Sequence, residues 1–72
     1  MKLTPNIEKI IKSSGFRKDF IANKLKVSVR QLRKYETGES LIPIDKAYIL
    51  ARLLDKKVDD LYKFEGEENE GV

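Results

Sequence analysis

The chain has 72 residues, enough for one small domain with a core so marginal that tight helix packing or a partner must contribute. It holds no cysteine and no histidine, which removes disulfides, thiolate chemistry and the commonest general base and metal ligand. The net charge of +3 conceals an asymmetry: residues 1–64 carry all fifteen Lys and Arg against eight acids, whereas EGEENEGV (65–72) carries four Glu and no cation.

The apolar period is helical almost throughout, in short pieces cut by turn signals. Thr4-Pro5 reads as an N-cap followed by proline at the first helical position. Ile7, Ile10 and Ile11 then form one apolar stripe that ends at Ser14-Gly15. A second helix is expected from about Lys18 to Leu25, burying Ile21, Ala22 and Leu25. Lys26, Val27 and Ser28 make a three-residue turn, and a third helix runs from Ser28 to near Gly38. ESLIP is a loop, since proline disfavours a helical Ile42. A fourth helix turns Ile44, Ala47, Leu50, Ala51 and Leu54 inward. After the turn DKK, VDDLYKF reads as a last short helix through Leu61, with Asp59 and Asp60 as first-turn acids. No strand-like alternation stands out. The expectation is an all-α, compact five-helix bundle over residues 1–64, followed by an acidic, disordered tail over 65–72.

AYILA (47–51) is the longest unbroken apolar run, too short to span a bilayer, and MKLTPNIEKI has no apolar signal core. A cytoplasmic protein that does not engage a membrane is expected. No glycine-rich phosphate loop or nucleophile–base pair occurs, so no enzyme, catalytic residue, metal site or cofactor is expected.

Charge is the informative quantity. Residues 9–34 hold nine cations (Lys9, Lys12, Arg17, Lys18, Lys24, Lys26, Arg30, Arg33, Lys34) and one acid, Asp19. Like charges repel in a compact state, so a block this one-sided points to an anionic partner, most often nucleic acid; an ordinary lysine-rich surface is the bland alternative. The third helix sharpens the choice. Ser28 followed by Gln31 three residues later is a capping-box pattern. At about 100° per residue, Val29, Arg33, Arg30 and Lys34 share one half of the helix, and Leu32 and Tyr35 anchor the other. Such a helix can sit on a core while offering cations to a major groove, where arginine bonds guanine with both fork arms and a valine methyl packs on thymine. A solvated basic face would show the same division, but the helix–turn–helix spacing argues against it.

With these residues in place, the sequence resembles the Cro and phage-repressor type of helix-turn-helix, the XRE family. FRKDFIANKLKVSVRQLRKYETG (16–38) matches that family's run without a gap, with Phe16, Ile21, Ala22, Leu25, Val27, Ser28, Leu32, Tyr35, Glu36 and Gly38 in register. The likeness continues through Leu50, Ala51, Leu54 and VDDLY, covering residues 4–62. It implies a lambda-repressor-like bundle, with the helix-turn-helix at about residues 17–36 and the third helix in the major groove. It also implies a homodimer, at least on DNA, on a pseudo-palindromic double-stranded operator. The expected function is a sequence-specific transcriptional regulator, a repressor of phage or mobile-element type in the nucleoid. Position by position, the base contacts implied are Ser28, Val29, Arg30, Arg33 and Lys34, and the phosphate contacts Arg17, Lys18, Lys26 and Gln31.

Departures from the family pattern matter as much. Arg17 stands where a capping Thr or Ser is usual, Phe20 where Glu completes the box, and Lys26 where the turn has glycine. Ile11 replaces the arginine that often pairs with Glu36, leaving Lys9 or Lys12 as candidate partners. The loop ESLI is poor in cations. Phe20 is expected at the edge of the core. An alternative reading, a protein-interaction module such as an antitoxin or regulator-binding helix-turn-helix protein, draws on that loop, on Phe20, and on Tyr62 and Phe64. The acidic tail reads as a plain soluble end or as a competitor for the basic face.

Overall fold

The computed structural model describes residues 2–65. In chain order it contains β1 (Lys2–Pro5), α1 (Ile7–Ser14), α2 (Lys18–Leu25), α3 (Val29–Thr37), α4 (Ile44–Leu53), a 3-10 turn (Val58–Leu61) and β2 (Tyr62–Glu65). The fold is thus an all-α helix-turn-helix domain with a small antiparallel sheet joining its two ends.

Three apolar stripes meet in one core. Ile7, Ile10 and Ile11 of α1, Ile21, Ala22 and Leu25 of α2, and Leu32 and Tyr35 of α3 are all buried. Ala47, Leu50, Ala51 and Leu54 close the core from α4, and Leu61 is fully buried beneath the 3-10 turn. Val27, Val29, Leu53, Val58 and Tyr62 pack around its rim.

The sequence expectations need correction at the ends. Thr4 does not cap α1; it lies in β1, and Asn6 occupies the N-cap position without a side-chain cap bond. Asn6 instead ties the two ends together. Its backbone N–H donates to the Leu61 carbonyl at 2.8 Å, and its side-chain amide donates to the Asp60 carbonyl at 3.2 Å. The expected fifth helix is only the four-residue turn Val58–Leu61. Beyond it the chain is extended and pairs with β1, with Leu3 opposite Phe64 and Pro5 opposite Tyr62. The reason is cross-strand pairing: Tyr62 and Phe64 alternate onto one face with Leu3 and Pro5, a stabilisation that no local helix offers. Because β2 includes Glu65, ordered structure crosses the expected boundary at residue 64. The expectation of disorder otherwise concerns residues outside those described.

Ile44 is also misplaced by the sequence reading. It is exposed, because it opens α4 on the flank about 90° from the centre of the Ala47–Leu50–Leu54 stripe. Phe20, expected at the core's edge, is exposed as well.

Helix ends obey local chemistry more closely. Gly15 and Gly38 end α1 and α3 in the left-handed conformation. A Cβ on Gly38 would lie 3.2 Å from Pro5 Cγ, so this glycine also admits β1 against α3. Helix α2 ends the same way without glycine. Lys26 adopts φ 60°, its N–H donating to the Asn23 carbonyl and the Val27 N–H to the Ala22 carbonyl. That is a Schellman motif, and it requires a left-handed residue at Lys26. Asp55 repeats the device after α4 at φ 58°, with Lys56 N–H donating to the Ala51 carbonyl at 2.7 Å. A lysine pays a Cβ penalty there that glycine avoids, whereas aspartate tolerates the conformation better. Lys26→Gly should therefore raise stability by about 1 kcal/mol, measured by urea denaturation, with Asp55→Gly gaining less.

Candidate nucleic-acid interface

Ser28 launches α3. Its Oγ accepts the Gln31 backbone N–H at 3.0 Å; the return bond from the Gln31 side chain is not made. Three residues separate α2 from α3, as the helix-turn-helix spacing required. Leu32 and Tyr35 are buried, which turns the opposite side of α3 outward.

On that outward side Val29, Arg30, Arg33, Lys34, Thr37 and Glu39 line a shallow hollow of about 380 Å³. Arg30 and Arg33 are exposed and Lys34 is half-buried. Among the described residues the ion pairs are Lys12–Glu8, Arg17–Asp19 and Lys18–Glu36, so none involves these three cations. Their donors remain free for an external anion or base edge. Four of the five residues assigned to base contact therefore converge on one surface: Val29, Arg30, Arg33 and Lys34. Val29 is half-buried and packs on the core, so only part of it faces outward. Ser28 is exposed, but its oxygen is committed as a cap. Thr37 and Glu39 share the hollow and were not foreseen; Glu39 adds an acid beside the cations.

The residues assigned to phosphate contact divide. Arg17 is at the N-cap of α2, its side chain 84% exposed, in a loose surface pair with Asp19 at 3.4 Å. Asp19 also accepts the Phe20 N–H at 2.7 Å, serving one of the orphan donors that the missing cap leaves open. Lys26 is exposed in the turn, and Gln31 is half-buried. Lys18 is different. Its Nζ lies 3.0 Å from Oε1 of Glu36, whose side chain is only 3% exposed. The expectation that Lys9 or Lys12 would pair with Glu36 is thus corrected: Lys12 pairs loosely with Glu8, and the partner comes from α2. Lys18 is consequently a brace between α2 and α3, and it cannot be counted among the free cations. Glu36 Oε2 is buried and makes no hydrogen bond among the described residues, where Oε1 and Lys18 carry the compensation of that charge.

A second lysine also works inside the fold. Lys46 of α4 donates to the Leu25 carbonyl at 3.0 Å, satisfying the last turn of α2 where a cation suits the helix dipole.

A family model described as Helix-turn-helix matches residues 7–61. The chain belongs to the helix-turn-helix family of Cro/C1 type, the XRE family. The matched span runs from the first residue of α1 to the last of the 3-10 turn, so β1 and β2 lie outside it. Comparison with curated proteins finds no match. Membership makes this a DNA-binding helix-turn-helix regulator domain, and no helix among the described residues is long and apolar enough to cross a membrane.

Removing Lys18 leaves a buried carboxylate uncompensated. Lys18→Met should cost about 3 kcal/mol in urea denaturation, the low end for breaking a buried pair because a third of the lysine side chain meets water. Arg17→Thr should stabilise the domain by about 1 kcal/mol through a new α2 cap. The same change should weaken DNA binding in a titration, and tighter binding would remove Arg17 from the interface.

Proposed function

We propose that this protein is a sequence-specific double-stranded DNA-binding transcriptional regulator, a repressor of phage or mobile-element type that works as a homodimer on a pseudo-palindromic operator. The observation that carries the reading is the unpaired set Arg30, Arg33 and Lys34 on the outward side of α3, opposite the buried Leu32 and Tyr35. With α3 in the major groove, Arg30 and Arg33 read base edges and Lys34 fixes register, while the Val29 methyls offer a thymine contact. Arg17 and Lys26 neutralise phosphates on either side of α2, supplying affinity that falls with salt. Gln31, in the first turn of α3, contributes a further backbone contact. A regulator of this kind acts in the cytoplasm, on the nucleoid.

A second reading, a protein-interaction module such as an antitoxin, draws support from Phe64, 67% exposed on β2, and from a pair of rings at α2. Phe16 and Phe20 are exposed together, ring centroids 5.3 Å apart, with the Lys24 ammonium 5.4 Å from the Phe20 ring. Tyr62, cited for the same reading, is employed internally: its Oη accepts the Ile42 N–H at 3.1 Å. A tight protein partner together with no DNA shift at low salt would favour this alternative.

Selecting bound duplexes from a random pool should return an inverted repeat, revealing site and two-fold symmetry together. Arg30→Ala should then lose about 1–3 kcal/mol on the selected site and much less on random duplex, measured by fluorescence anisotropy. Equal losses on both would reassign Arg30 to the phosphates, and no enrichment in the selection would overturn the reading.

A further inference from the structure

Helix α4 buries one face and leaves the other with no partner. Leu41 and Ile44 are each 66% exposed, Tyr48 58% and Ile49 45%, an apolar group too clustered to be scattered surface residues. Taking Ile44 as the origin, Tyr48, Arg52, Asp45 and Ile49 fall at about 40°, 80°, 100° and 140°, one continuous outward strip. Its charges are ordered: the acid Asp45 lies in the first turn, and the cation Arg52 lies seven residues on, two turns along the same line.

That order is self-complementary. When two such helices lie antiparallel about a two-fold axis, residues whose numbers sum to a constant face each other. An axis passing between Tyr48 and Ile49 sets Asp45 against Arg52 of the other copy, twice, and opposes the two helix dipoles. Shape follows the same register. A hollow of about 320 Å³ lies at the C-terminal end of α4, lined by Tyr48, Ala51, Arg52, Lys56, Lys57 and Val58 among others. In this pairing Ile44 of one copy arrives over that hollow in the other, because Ile44 and the hollow-lining Tyr48 and Ala51 share one flank of the helix. The lysine stems of the hollow can cover that apolar knob while their ammonium groups stay in water. Asp45 and Arg52 each lack an ion-pair partner within the chain among the described residues.

We infer that two copies of this chain associate through α4, antiparallel about an axis between Tyr48 and Ile49, with Asp45 of each facing Arg52 of the other and Ile44 seated in the partner's hollow. The inference rests on the homodimer proposed above and names its surface. The occupant is a second copy and not another protein because the acid, the cation, the knob and the hollow are all supplied by one face of one chain.

Sedimentation equilibrium of the full chain without DNA tests this. Wild type should dimerise. Asp45→Arg alone and Arg52→Asp alone should each raise the dimer dissociation constant about tenfold, since each sets like charges opposite one another at two symmetric places. The double variant D45R/R52D should return to within about threefold of wild type. Ile44→Glu should weaken the dimer at least as much as either single reversal, whereas Phe20→Glu, on the separate exposed pair Phe16–Phe20, should leave it unchanged. Circular dichroism confirms that each variant is folded. A chain that stays monomeric at millimolar concentration, or a dimer indifferent to both single reversals, overturns the inference. Because no DNA is present, either result is independent of whether the duplex selection succeeds.

Discussion

A carboxylate buried to 3% exposure with one cation as its partner constrains the interface more than any other contact. Glu36 projects from α3 one residue beyond the anchor Tyr35, and Lys18 reaches it from the first residue of α2. An ion out of water must keep its counter-charge, so the two helices hold one relative angle or lose several kcal/mol. The angle at which α3 leaves the domain is fixed by this pair together with Leu32 and Tyr35 beneath it. The cations on the opposite side are thereby held as a set, which lowers the ordering cost of binding.

The lysines and arginines of the helix-turn-helix therefore do three separate jobs, though they look alike in the sequence. Lys18 is spent on Glu36, and Lys46 from outside the motif is spent on the Leu25 carbonyl. Arg17 and Lys26 flank α2 at its two ends, one at an uncapped N-terminus and the other in a left-handed residue. Arg30, Arg33 and Lys34 have no internal obligation among the described residues. Lys18 is thereby withdrawn from any external phosphate or base, which makes the effective basic surface smaller than the count of nine cations suggests.

The sheet has a different role. By pairing Leu3 with Phe64 and Pro5 with Tyr62, it fastens together the first and last segments of the described residues. Pro5 then abuts Gly38 at the foot of α3, and Tyr62 receives the Ile42 N–H in the loop after it. A core of this size is marginal. Closing β1 and β2 against α3 and the loop after it steadies the helix proposed to read bases, using backbone bonds that do not draw on the small apolar supply.

Apart from the false cap signal at Thr4-Pro5, the sequence by itself determined most of what is set by neighbours within one turn of helix. The stripes Ile7–Ile10–Ile11 and Ile21–Ala22–Leu25, the Ser28 cap and the glycine stops at Gly15 and Gly38 all follow from residues at most five apart. So does the division of α3 into an anchoring half and a cationic half. The strain at Lys26 was legible only through the resemblance, as a lysine where the turn has glycine. Tertiary structure decided what depended on distant residues meeting. Lys18 and Glu36 are eighteen positions apart, and no periodicity ties them. The strands are four residues each, too short to show alternation, and YKFE reads as the end of a helix until KLTP lies beside it. Ile44 and Phe20 are apolar and helical, which locally predicts burial. Only the position of the other helices reveals that no described residue covers them. Short-range geometry is encoded in adjacent side chains, whereas the choice of partner across the fold is settled by which surfaces the packed core brings together.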